Sequence, residues 1–134
     1  MLKIGVLGAG HLGKIHLKVL AASSFYSLIG FYDPNPEVQA LLFKSHGYKA
    51  FESPEKLIAA CDVIDIVTST LFHFDMAMLA LNAKKHVFIE KPIATSDKEA
   101  EAIVALANKN GVIGMVGHVE RFNPAFKAVS TSIT

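Results

Sequence analysis

The chain has a single cysteine, Cys61, among 134 residues. That excludes an intrachain disulfide framework and suits a reducing cytoplasm, where the protein is expected to reside. Charge of one sign is also lacking: 13 Lys and Arg stand against 12 Asp and Glu, a formal net charge of +1. Such a balance gives no electrostatic pull toward nucleic acid or an anionic membrane, and neither is expected as a partner. No apolar run approaches the roughly 18 residues that a membrane-spanning helix requires. No low-complexity linker or short repeat is visible. His16, His46 and His86 fall at no recognisable metal spacing and Cys61 adds nothing to them, so no metal site is expected. What is plentiful is apolar side chain: 51% of residues are hydrophobic and 19% charged, as expected when a parallel sheet is covered on both faces. The length suits one ordinary domain with a real core.

Strand and helix patterns alternate along the chain. Leu2–Leu7 is a β-rich run ending in glycines, and its closeness to Met1 makes the amino end read as folded structure rather than a cleaved leader. His11–Ala22 places Leu12, Ile15, Val19 and Leu20 at helical spacing. Leu28–Tyr32 is a second strand closed by Asp33, after which Asn35 can cap a helix that begins at Pro36 and ends before Gly47. Tyr48–Phe51 is a third strand candidate, and Ser53 caps a short helix through about Ala60. Val63–Val67 is an apolar strand apart from Asp65, Phe74–Asn82 reads as helix, and Val87–Ile89 as a buried strand. Ser96 and Glu99 have capping-box spacing for a helix through about Lys109, with Val112–Val116 as a sixth strand. Phe25, Phe31, Phe43 and Phe88 read as core or near-core packing. This alternation predicts an α/β Rossmann fold: a doubly wound parallel sheet of about six strands, ordered 3-2-1-4-5-6, with helices on both faces. Residues 1–120 form that domain. From Arg121 a turn into a new helix starts and runs out at Thr134, so 121–134 is expected to begin a connection to a second, substrate domain of a longer chain.

The chemistry is concentrated in few places. Gly8-Ala9-Gly10-His11-Leu12-Gly13 follows a strand and opens a helix, the context in which G-x-G-x-x-G binds a dinucleotide. Gly8 permits the tight turn, Gly10 lets the backbone approach a pyrophosphate, and Gly13 lets helix and strand pack closely. His11 and Leu12 contribute main-chain N–H groups at a helix end carrying about half a positive charge. Asp33, about twenty residues beyond Gly13, stands where an acid accepts hydrogen bonds from ribose hydroxyls and repels a 2′-phosphate. No arginine adjoins it, so NAD is expected over NADP; the alternative is that Asp33 only starts its Asp-Pro turn. Later strand ends, where open α/β sheets bind ligands, carry Thr68-Ser69-Thr70 with His73, Glu90-Lys91-Pro92, and His118. A lysine held there beside a nicotinamide ring can orient a substrate hydroxyl and aid proton transfer. His118 either contacts substrate or nicotinamide or is structural, and Arg121 either binds an acidic substrate group or forms a surface or interdomain ion pair.

The glycine loop, Asp33, the stretch Thr68–His73 and the triplet Glu90-Lys91-Pro92 together resemble the Gfo/Idh/MocA oxidoreductases across the whole chain. The resemblance implies an NAD(P)-dependent enzyme acting on sugars, sugar nucleotides or cyclitols. It makes Lys91 the catalytic lysine, places Thr68, Ser69 and His73 beside the cofactor, and puts Glu90 near the nicotinamide ribose. It also implies a second α/β domain, through whose sheet family members commonly associate, so a homo-oligomeric parent is expected. The family's partner acid and histidine lie in that domain, so these 134 residues alone are expected to bind cofactor with little or no turnover. Thr68–Ser69 replaces the usual Thr-Pro pair, and His118 stands where Asn or Tyr is common. The alternative readings are a non-catalytic NAD(H)-sensing module and an inactive relative; Lys91 at the nicotinamide end weighs against a sensor.

Overall fold

A computed structural model describes residues 1–118. Its elements in order are β1 (Leu2–Leu7), α1 (His11–Ala21), β2 (Tyr26–Tyr32), α2 (Pro36–His46), α3 (Pro54–Ala60), β3 (Val63–Ile66), α4 (Thr70–Asn82), β4 (His86–Glu90), α5 (Asp97–Asn110) and β5 (Gly114–Gly117). The helix starts follow capping chemistry. The side chains of Asn35, Ser53 and Ser96 accept hydrogen bonds from the N–H groups of Glu37, Lys56 and Glu99 respectively, satisfying donors a helix would otherwise leave open. The box at Ser96 closes one residue early, since the Glu99 carboxylate accepts from the N–H and hydroxyl of Thr95. Gly47 and Gly111 end α2 and α5 in the left-handed conformation. Helix α4 begins at Thr70, four residues before the expected Phe74, which brings His73 into its first turn.

The sheet is wholly parallel, in the order β2-β1-β3-β4-β5. Among the described residues it has five strands where about six were expected. Tyr48–Phe51 lies where the third strand of the 3-2-1-4-5-6 order belongs, but it forms only a bridge between Phe31 and Ala50. Its hydrogen bonds run from Phe31 N–H to the Lys49 carbonyl and from Phe51 N–H to the Phe31 carbonyl. The segment has no room to grow, because the α2 cap at Gly47 precedes it and the α3 cap at Ser53 follows at once.

Alternation along each strand divides the core in two. On one face Leu7, Ile64, Ile66, Val87 and Ile89 pack against α3, α4 and α5. On the other, Val6 and Phe31 meet Leu17 of α1 and Leu42 of α2. Each such fully buried side chain contributes about 1.5–3 kcal/mol by leaving water. Two of the expected core aromatics are not core: Phe25 is 80% exposed and Phe43 64%. Phe25 lies in the turn between α1 and β2, and Phe43 is turned outward on α2 beside inward Leu42. Phe31 is fully buried and Phe88 half-buried.

Candidate active site

The strand order reverses direction at β1, with β2 on one side and β3 on the other, and ligands of open α/β sheets bind at the carboxyl ends beside such a point. The glycine loop sits there. Gly8 has φ +96°, and a Cβ on it would lie 2.7 Å from the Thr68 nitrogen and 2.8 Å from the Val67 carbonyl. Only glycine permits both that turn and the approach of the loop to the end of β3. A Cβ on Gly13 would overlap the Gly8 carbonyl oxygen, whereas one on Gly10 would meet nothing within 4 Å. Gly8 and Gly13 therefore satisfy the fold itself. Gly10 faces open space, as the approach of a ligand to main chain requires. Gly10 is also the N-cap of α1 and provides no side-chain cap, leaving first-turn N–H groups at His11, Leu12 and Gly13 for a ligand oxygen. This cradle fits a dinucleotide pyrophosphate.

Asp33 ties the end of β2 to this loop. One carboxylate oxygen accepts from Ala9 N–H at 2.8 Å and the other from Asn35 N–H at 2.9 Å. Its turn-forming role is thus present together with a contact to the glycine loop. A carboxylate offers about four acceptor positions, so two contacts leave room for ribose hydroxyls.

Across β3, His73 is 1% exposed; its Nδ1 lies 2.8 Å from the Pro92 carbonyl oxygen and its Nε2 3.0 Å from that of Thr68. The ring therefore clamps the loop after β3 to the loop after β4, with both nitrogens occupied by main chain. Thr68 is half-buried and its hydroxyl donates to the Ser69 carbonyl, while Ser69 is exposed as the N-cap of α4. At the end of β4, Glu90 is buried and accepts the Lys91 N–H at 3.2 Å. Lys91 is exposed, and the Lys91–Pro92 peptide is cis. His118 is exposed just past β5. The structure thus gathers the glycine loop, Thr68, Ser69, Glu90, Lys91 and His118 along one carboxyl edge of the sheet. His73 lies beneath that edge, and Arg121 and the 121–134 connection lie outside the described residues.

The three histidines considered for metal are apart. His46 stacks on Tyr48 with ring centroids 5.1 Å apart, and His86 Nδ1 accepts from Ile113 N–H. His16 has a role that sequence reasoning missed. Its Nδ1 lies 2.7 Å from an Asp65 oxygen and its Nε2 3.1 Å from a Glu90 oxygen. The hydrogen bond to Asp65 raises the His16 pKa, with help from both carboxylate charges and against the effect of burial. Burial raises that of Asp65, opposed by His16. The available signal was Asp65 itself, since a charge inside an otherwise apolar central strand requires a partner. Beside this trio a groove of about 480 Å³ runs along α1, lined by Leu12, Ile15, Val19, Phe88 and Met115. The Cys61 thiol is pushed up to about 11 by burial, which leaves it protonated and unreactive. No helix among the described residues is long and apolar enough to cross a membrane.

Residues 2–118 match the Gfo/Idh/MocA family, described as an oxidoreductase family with an NAD-binding Rossmann fold. The chain is 36% identical over 126 residues to UDP-N-acetylglucosamine 3-dehydrogenase of Acidithiobacillus ferrooxidans, covering 94% of this chain and 40% of that protein. It is 33% identical over 122 residues to glucose-6-phosphate 3-dehydrogenase of Bacillus subtilis, covering 91% of this chain and 35% of that protein. Its fold also matches scyllo-inositol dehydrogenase from Lactobacillus casei, solved with bound NAD(H) and scyllo-inositol. The TM-score is 0.90 and the identity 28%, over 99% of this chain and 41% of that one. The chain therefore spans about two fifths of the length of such relatives.

Proposed function

This chain belongs to the Gfo/Idh/MocA oxidoreductase family, and from that premise we propose that it is the cofactor domain of an NAD-dependent dehydrogenase whose substrate is a sugar, sugar nucleotide or cyclitol. The observation that carries this reading is the alignment of an uncapped helix end at Gly10 with an exposed lysine at Lys91 on one edge of the sheet. The two follow the carboxyl ends of β1 and β4, strands separated by β3. With neighbouring strands about 4.8 Å apart, β1 and β4 run roughly 10 Å from each other. The nicotinamide cofactor, when bound, accepts or gives the hydride.

The residues of this chain supply the rest. Main-chain N–H groups at His11, Leu12 and Gly13 hold the pyrophosphate, while the free acceptor positions of Asp33 take ribose hydroxyls. The same carboxylate repels a 2′-phosphate, so NAD is preferred to NADP. Thr68 and Ser69 flank the path of the cofactor toward Glu90 and the nicotinamide ribose. Lys91, as the neutral amine, orients the reacting hydroxyl and takes its proton as the hydride is removed, so the alcohol carbon is oxidised to a carbonyl and the lysine is left as the ammonium. His118, at the same edge, adjoins the space in which substrate meets nicotinamide. The relatives' names support a polyol or sugar substrate, two of them being 3-dehydrogenases of sugar derivatives. Selection among such substrates, and assembly into oligomers, belong to a second domain. Alone, the 134 residues are expected to bind cofactor with little or no turnover.

Lys91→Ala in the full-length protein tests this. Turnover is expected to fall by about a hundredfold or more while NADH affinity is kept, the signature of a proton-transfer group lost. Full turnover in that variant removes the catalytic assignment. A full-length protein that binds NADH but oxidises no polyol supports the sensing module instead.

A further inference from the structure

Beneath the loop that carries Lys91, ionisable side chains from three elements meet on one face of the sheet. His16 of α1 bridges Asp65 of β3 and Glu90 of β4. Ionised carboxylates only accept, so both contacts are made together when the imidazole carries two N–H donors. The other Glu90 oxygen accepts the Lys91 main-chain N–H. The same carboxylate lies beside Gly117 of β5, where an added Cβ would sit 3.0 Å from its carbon and both oxygens. With one oxygen held by His16, the other by Lys91, and Gly117 behind it, the carboxylate has little freedom to turn. Resting on the functional reading above, we propose that His16 is a positioning residue: its ring holds Glu90, and through Glu90 the Lys91 main chain, in the arrangement that presents the lysine to substrate.

Packing alone does not account for the trio. The same face of β1, β3 and β4 otherwise carries Ile4, Val63 and Phe88, and Asp65 is 3% exposed with one oxygen unpartnered among the described residues. Apolar side chains of similar volume usually stabilise such a position as well or better. What they cannot supply is a cation fixed beside Glu90. The groups facing His16 are Asp65 and Glu90, with the Phe88 ring 6.1 Å away and Tyr26 of β2 along the groove. With an acid beside each ring nitrogen, the charged form of the ring is the one this site favours.

One readout requires no substrate. In the ¹⁵N-labelled full-length protein without cofactor, the Lys91 amide resonance should shift with pH in step with the His16 ring, and stay still over that range in His16→Gln. An amide that ignores the His16 titration overturns the proposal. In kinetics, His16→Gln should lower kcat about tenfold or more, as expected of a misplaced reacting group, while KM for NAD moves less than about twofold. Glu90→Gln should also lower kcat, and the double variant should lose no more than the worse single, because both act through one contact. Unchanged kcat in His16→Gln, or losses that simply multiply, overturn it. If the protein has no NAD-linked turnover, the functional reading fails while the amide titration still decides the role of His16. If His16→Gln does not fold, Glu90→Gln serves instead: its Lys91 amide should no longer follow His16, and an amide that still follows overturns the proposal.

Discussion

The two halves of the sheet solve different problems. Around β1 and β2, both faces are covered: α1 and α2 close one with Leu17, Leu42, Val6 and Phe31, and the opposite face carries α3. Around β3, β4 and β5, α4 and α5 close one face, but the other borders a groove whose α1 wall leaves Ile15 46% and Val19 63% exposed. The first half holds its ligand-binding parts mostly with main chain, at glycines and helix N–H groups, and with the one carboxylate of Asp33. The second holds ionisable side chains, His16, Asp65, Glu90 and Lys91, in a chain of contacts leading to the edge. A pyrophosphate cradle works on backbone geometry and tolerates any apolar packing behind it. A lysine that handles a proton, as proposed for Lys91, needs its supports in register, and those supports are charged.

The sharpest way to break the comparison is at the glycines. Gly13→Ala drives a Cβ into the Gly8 carbonyl, so a destabilisation of about 3 kcal/mol or more is expected in urea denaturation, in the range of severe overpacking. Gly10→Ala meets no protein atom and should change stability by less than about 1 kcal/mol, while weakening NADH binding in a fluorescence titration. If both variants lost stability equally, the first half would not divide into fold-bearing and ligand-facing glycines. A smaller effect is expected at Asp33. Asp33→Ala removes the acceptor for Ala9 N–H as well as the ribose contacts, so NAD affinity should fall by about tenfold to a hundredfold, the loss of one to two charge-assisted hydrogen bonds. Preference over NADP should shrink with it. Unchanged affinities for both cofactors would leave Asp33 as a turn residue only.

The smallest effect is a pH slope that belongs to the second half. His16 has a raised pKa in the folded chain, so the folded state holds a proton that the unfolded state releases above the ordinary histidine value near 6.5. The stabilisation is complete below that value and is lost as pH rises through the raised one. Asp65, also raised, acts in the same direction at lower pH. Urea denaturation from pH 6 to 9 should therefore show stability declining with pH, and His16→Gln should remove that part of the decline. A rise in stability over the interval would contradict a half-buried His16 held as a cation by its two acids.

Legibility from sequence followed the range of the interaction. The caps at Asn35, Ser53 and Ser96, the stop at Gly47, and the loop Gly8–Gly13 involve groups a few residues apart, and all were readable. Tyr48–Phe51 has a strand's composition, but the helix caps crowding it on both sides reduced it to a bridge. Phe25 and Phe43 have core chemistry on outward positions, because direction on a helix or turn depends on where the sheet lies. His73 reads as a residue flanking the cofactor. Its occupation by the Thr68 and Pro92 carbonyls depends on the loops after two adjacent strands being brought to either side of α4.

By itself, the order of residues determined the α/β alternation, the parallel sheet and the corner where a dinucleotide phosphate meets main chain, since period, caps and glycine spacing act locally. Only the tertiary structure decided that His16, Asp65 and Glu90 form one network. They lie on a helix and two strands separated by up to 74 positions, and parallel pairing of β3 with β4 under α1 is what brings them within 3.1 Å. Charges so far apart along a chain meet only once strand pairing brings them together; the apolar pattern fixes which face each strand residue occupies, but not which charged groups become neighbours across strands and helix.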